Sequence, residues 1–151
     1  MSFQNQFTKT TTDANLMETV HHGSTEYPFR YYYENIALFD FKCIDWHWHS
    51  ELEFIYIESG NVVFDIGTVH FELNEGNGIM INSKILHRLQ SSSDAIIPNF
   101  LFQPSFIAPQ DSLIYKKYIN PVISSSLEYL VFQPDIPWQK KALEIIKTII
   151  A

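Results

Sequence analysis

The sequence predicts a mainly β domain, a sandwich or barrel, followed by α-helices. Three observations carry that expectation. Short apolar and aromatic segments follow one another through the middle of the chain, separated by Gly, Asn, Ser and Pro. Phe, Tyr and Trp make up 15% of the residues, and these are types that pleated, half-buried surfaces favour. After Pro109 the pattern changes, and apolar residues recur at helical spacing.

Residues 1–26 read as a partly flexible leader. Met1 to Phe7 has no basic start followed by an apolar run, so it is no signal peptide, and the Asn-, Gln- and Thr-rich stretch through Asp13 is polar. Residues 27–109 hold the predicted strands. Ile36 to Ile44 is apolar and aromatic, and Phe54-Ile55-Tyr56-Ile57 is a short continuous run suited to a strand covered on both faces. Val62 to Ile66 and Val69 to Leu73 flank Gly67-Thr68 and read as a hairpin. Ile79-Met80-Ile81, a strand beginning at His87-Arg88-Leu89, and Asn99 to Phe102 complete the series. In residues 110–151, Ser112 to Ile119 has helical spacing limited by Pro121. Pro137 then opens a helix whose apolar residues, from Trp138 to Ile150, line one broad face. The chain stops at Ala151 inside that pattern, without a cap, which suggests the N-terminal piece of a longer protein.

Composition excludes several functions. A length of 151 residues suits one domain with a substantial core. A net charge of −7 argues against this segment alone gripping a phosphate backbone, which needs clustered Lys and Arg. Cys43 stands alone, so no intrachain disulfide can form, as suits a reducing cytoplasm. No apolar stretch is long enough to cross a membrane. There is no nucleophile elbow, phosphate-binding glycine loop or cysteine pair.

The chemistry concentrates in His47, His49, Glu53 and His87. Three imidazoles and a carboxylate suit a divalent transition metal such as Zn, Mn, Fe or Ni. Alternate side chains of an extended strand share a face, so His47 and His49 point one way and Trp46 and Trp48 the other. Glu53 has the parity of the histidines if the strand runs on, and His87 arrives from another strand. If the segments form one barrel, all four converge on its interior. A polar cluster satisfied by hydrogen bonds or water is the alternative to a bound metal. Trp46, Trp48 and Arg88 are carried as further candidate pocket residues beside the quartet. Trp138, Ala142, Ile145, Ile146 and Ile149 are candidate contacts of a dimer. His21, His22 and His70 are expected at the surface, Glu51 on an exposed turn and Cys43 in the core.

The order His-x-His, three residues, Glu, six residues, Gly resembles the first cupin motif, and Gly76 to His87 resembles the second. Phe41 stands where the first motif usually has a glycine, and Asn82-Ser83-Lys84 stands where the second usually has Pro and Gly. Over longer spans the chain resembles the ligand-sensing domain of AraC-family transcription regulators. The spans are Trp46 to Gly60, Leu73 to Asn82 with His87, Ile114 to Pro121, and Ile136 to Lys140. That resemblance implies a cupin barrel, helices that pair two subunits, and a DNA-binding domain with two helix-turn-helix units that is not in this sequence. It also implies a small-molecule effector, usually a sugar or related metabolite. The rival is a metal-dependent cupin enzyme, a dioxygenase, isomerase or epimerase, using the same four ligands.

Overall fold

The computed structural model describes residues 6–151; Met1 to Asn5, the start of the expected leader, lie outside the described residues. Among the described residues nine strands form two antiparallel sheets. The first sheet has the order β1 (Phe29–Tyr32), β8 (Asn99–Phe102), β3 (Leu52–Tyr56), β6 (Gly78–Ile81), β9 (Tyr129–Phe132). The second has the order β2 (Cys43–His47), β7 (His87–Gln90), β4 (Asn61–Ile66), β5 (Val69–Asn74). The expected hairpin is β4–β5, with Gly67 at φ 56° in its turn.

Alternation sorts every strand into an inner and an outer face. Ile55, Ile79 and Ile81 of the first sheet meet Val62, Phe64, Ile66, Leu73 and Leu89 of the second in one buried core. Leu52, Met80, Phe100, Phe102 and Phe132 point out of the first sheet. There they are covered by Leu143, Ile146 and Ile150 of the C-terminal helix α2 (Pro137–Ile150). The apolar run through Phe54 is therefore covered on both sides, as its composition predicts. A Cβ on Gly78 would lie 2.8 Å from Leu143 Cδ2 and 3.3 Å from Ile55 O, so a larger residue there would require the Leu143 side chain of α2 to shift.

Three local expectations are corrected. The segment from Ile36 to Ile44 is not one strand: two 3₁₀ turns, Ile36–Leu38 and Asp40–Lys42, precede β2. Phe41 there stands at φ 60° with its side chain in solvent, a conformation that no strand ladder tolerates. Pro121 does not stop the helical path. A π-turn over Tyr115–Ile119 leads into α1 (Asn120–Ile123), where Pro121 occupies the first turn and its missing N–H costs nothing. The apolar residues of α2 do not form one face. Leu143, Ile146 and Ile150 pack on the first sheet, while Trp138, Ile145 and Ile149 are about half exposed. Ile146, expected at a dimer contact, belongs to the core of its own domain.

Candidate metal and ligand site

The position of His47 depends on a β-bulge. Across β2 and β7, Ile44 pairs with Leu89 and His47 with His87, so β2 spends one residue more than β7 over the interval. A two-versus-one count of this kind reverses the parity of the strand beyond it. Before the bulge the even residue Ile44 faces inward; after it the odd residues His47 and His49 do. Asp45 fixes the kink by accepting the backbone N–H of Trp46 on Oδ1 (2.8 Å). The chain then crosses between sheets, and β3 delivers Glu53 to the same interior, paired with Ile81 and Leu101. The four side chains of the quartet are all buried, and one donor atom from each lies within 4.8 Å of every other.

Hydrogen bonding fixes the orientation of each imidazole. His47 Nδ1 lies 2.7 Å from Asp45 O, His49 Nδ1 3.1 Å from Glu51 O, and His87 Nδ1 2.8 Å from Ile85 O. A carbonyl oxygen only accepts, so each Nδ1 carries the proton and each Nε2 is turned toward the common centre. Metal-binding histidines are typically held in this way by their second nitrogen. His87 Nε2 and His49 Nε2 stand 3.2 and 3.3 Å from Glu53 Oε1. Yet His49 Nε2 is fully buried and makes no hydrogen bond of acceptable geometry. Such an orphaned buried polar atom is costly unless something sits between it and its neighbours.

Electrostatics describes the same set without a cation. Burial works to lower His49, but Glu53, Glu18 and Glu51 outweigh it and raise it to about 9. Burial and the neighbouring His87 push His47 down to about 3. Burial would raise Glu53, but the close His49 and His87 imidazoles hold it well below the usual carboxylate range. One imidazolium thus balances one carboxylate while the remaining lone pairs face inward, an arrangement suited to replacement of the proton by a divalent ion.

His47, His49 and Glu53 of the quartet form one end of a cavity of about 40 Å³. Ile44, Ile55, Leu89, Ile97 and Leu101 supply apolar walls, and Phe39, Tyr32, Glu34 and Asn99 complete the interior. Asn99 Nδ2 donates to Glu34 Oε1 at 2.8 Å, while burial pushes the Glu34 carboxyl up to about 7 against that bond. Residues of the N-terminal segment, among them Thr11, Glu18 and His22, close the mouth.

The other expected pocket residues are elsewhere. Trp46, Trp48 and Arg88 do not line this cavity. The bulge that turns His47 inward turns Trp46 outward, where Arg88 stacks on its ring at 5.0 Å, and Trp48 Nε1 donates to Asn15 O. Arg88 also bonds Asp65 Oδ2 through Nε and Nη2. His70 is exposed, as expected, and meets Asp65 at 2.5 Å. His22 is not at the surface: it is buried, its Nδ1 lies 2.7 Å from Tyr32 Oη, and its ring stands edge-on to His49. Glu51 is buried rather than on an exposed turn, and Cys43 is only half-buried. Sequence reasoning missed Glu18, Glu34 and Asn99. The parity of Asn99 against Phe100 and Phe102 could have placed it inside; nothing in the spacing marks the two glutamates.

Two antiparallel sheets enclosing three histidines and a glutamate define a cupin-type domain. Residues 39–109 match the model of the AraC-like ligand binding domain. Over 140 residues the chain is 32% identical to an uncharacterized HTH-type transcriptional regulator, YdeC, of Bacillus subtilis (strain 168). The match takes in 91% of this chain and 47% of YdeC, so the chain spans about half the length of that curated relative. A cupin 2 conserved barrel domain protein from Salinispora arenicola superposes with a TM-score of 0.45. It is 12% identical, over 59% of this chain and 71% of that one. A cupin-2 domain containing protein from Shewanella frigidimarina gives 0.43, with 14% identity over 48% and 69%. Among the described residues, no helix is long and apolar enough to cross a membrane.

Proposed function

We propose that this chain is the effector-binding and dimerisation part of a cytoplasmic AraC-type transcription regulator. It senses a small molecule, a sugar or related metabolite, in the barrel, and acts on DNA through a domain outside this sequence. A divalent Zn, Mn, Fe or Ni ion held by His47, His49, Glu53 and His87 is part of the sensing site, and no catalytic residue is assigned. The observation that carries the reading is the convergence of three Nε2 atoms and one carboxylate inside an AraC-like ligand-binding domain. Each ring is locked by a backbone carbonyl.

The donor set fits such an ion. Three nitrogens and one oxygen match its ligand preferences, and His49 Nε2 lacks any other partner. When bound, the ion supplies Lewis acidity and coordination positions for an oxygen of the effector. The protein's own contribution is to hold the rings, exclude water with the apolar wall, and offer Glu34 and Asn99 as polar contacts at the far end. An effector that prefers one arrangement of the barrel or dimer shifts the population toward it, and the attached DNA-binding domains follow.

The partly exposed stripe of α2 supports pairing with a second copy. Trp138, Ala142, Ile145 and Ile149 follow one another by four, three and four residues, the repeat of a coiled-coil seam. Elemental analysis of untagged protein purified without chelator tests the metal; the expected content is about one equivalent per chain, and its absence after such handling removes the ion from the reading. Sedimentation tests the pairing. A dimer is expected, and Ile145→Glu with Ile149→Glu is expected to yield monomers, whereas a wild-type protein monomeric at high concentration refutes the seam.

A further inference from the structure

The N-terminal segment does more than cover the cavity. Leu16 to Glu18 lies beside the histidine-bearing strand: Trp48 N donates to Leu16 O (3.0 Å), and Glu18 N donates to Trp48 O (2.9 Å). These two bonds seat residue 18 next to Trp48, between the two histidines in sequence. The Glu18 side chain turns inward and is only 12% exposed. Its two oxygens are differentiated. Oε1 contacts His22 Nε2, and His22 is in turn positioned by Tyr32 Oη. Oε2 points at the quartet, 3.9 Å from His47 Nε2. No lysine or arginine bonds this carboxylate; its partners among the described residues are histidines.

We propose that Glu18 is an additional ligand of the metal, contributed from outside the barrel strands, a reading that rests on the quartet holding an ion. His22 and Tyr32 act as positioning residues: they hold Oε1 and leave Oε2 facing His47, the outer-sphere arrangement that commonly orients a metal-binding carboxylate. A second carboxylate brings the protein charge at the centre to −2, which matches a divalent ion. The ion would then tie the segment ahead of the barrel to its interior.

The test uses Co²⁺ added to the metal-free protein, read by its visible absorption and by its affinity. Wild type, Glu18→Gln and Glu18→Asp are compared, each checked for fold by circular dichroism. Loss of one ligand lowers the coordination number, so the d–d band of E18Q is expected to intensify and shift, with affinity falling about tenfold or more. E18D, which retains the charge but retracts the carboxylate, is expected to show a smaller change in the same direction and keeps the test open if E18Q does not fold. Spectra and affinities identical to wild type in the folded variants overturn the proposal. Failure of the wild type itself to take up Co²⁺ is a different result: it overturns the quartet as a metal site, and the Glu18 assignment with it.

Discussion

Two carboxylate–histidine groups lie on opposite faces of this fold. Inside, Glu53 meets His49 and His87. Outside, Asp65 meets His70, Arg88 and Gln90. The two share a strand pair: His87 and Arg88 are adjacent on β7, and Ile66 and Asp65 face them from β4. The residue types are nearly the same, yet the groups differ in what they can do. The inner imidazoles are 1–5% exposed and tied by Nδ1 to backbone carbonyls, whereas the His70 side chain is 68% exposed. Asp65 is satisfied by a guanidinium and an imidazole, and it is held low first by the His70 bond and then by Arg88. Nothing in the outer group is left over. The inner group leaves the buried His49 Nε2 without a hydrogen bond, and several lone pairs converge beside it. Ligand sets are distinguished from ion pairs by what remains unsatisfied.

Substitutions can break that contrast. The largest effect is expected at Glu53. Glu53→Ala removes the partner of a buried imidazolium and should cost about 3–5 kcal/mol in the metal-free protein, read by urea unfolding. Metal content should fall to background in the same variant. Retention of stability and of metal would erase the distinction between inner and outer groups.

The next largest effect sharpens it by separating burial from pairing. Glu34 is buried like Glu53, but its hydrogen-bond partner is Asn99 rather than a histidine, and its carboxyl is pushed up to about 7. A carboxyl raised on folding stabilises the native state while protonated. Its contribution is complete below pH 4.5 and is lost as pH rises through about 7. Glu34→Gln should therefore match wild type near pH 4. It should gain relative stability as pH rises, reaching about 3 kcal/mol above pH 7. Unfolding curves from pH 4 to 8 that stay parallel would show that Glu34 ionises freely.

At the outer group the expected effects are small. Asp65→Asn should cost less than about 1 kcal/mol because its partners Arg88 and His70 both reach solvent, and metal content should not change. His70→Ala should shift stability by no more than a few tenths of a kcal/mol, measured as a change in urea midpoint.

Much of this was legible in the residues. The hairpin around Gly67-Thr68, the doubly covered strand through Phe54, and the first-turn Pro137 follow from local rules that tertiary context did not override. The quartet was legible as three histidines and a glutamate at a spacing that resembles the cupin motifs, although β2 ends at His47 and the chain crosses to the other sheet before Glu53. What was not legible depended on contacts distant in sequence. Glu18 and His22 look like surface polar residues until backbone bonds to Trp48 bring their segment onto the barrel. Trp46 and Trp48 were placed beside the pocket by proximity along the chain, but being adjacent to an inward residue puts a side chain outside. The apolar residues of α2 gave the helix but not its two faces, because only the packed sheet distinguishes Ile146 from Ile145.

The extra residue in β2 has a meaning beyond local geometry. Where the strand takes up its extra residue decides which way the histidines look. Were β2 to run on from Ile44 as a regular strand with the same residues, Trp46 and Trp48 would face the cavity and His47 and His49 would face away from it. The bulge thus absorbs one residue of chain length, and the facing of the ligands depends on that residue being absorbed between Ile44 and His47 and not further along the strand.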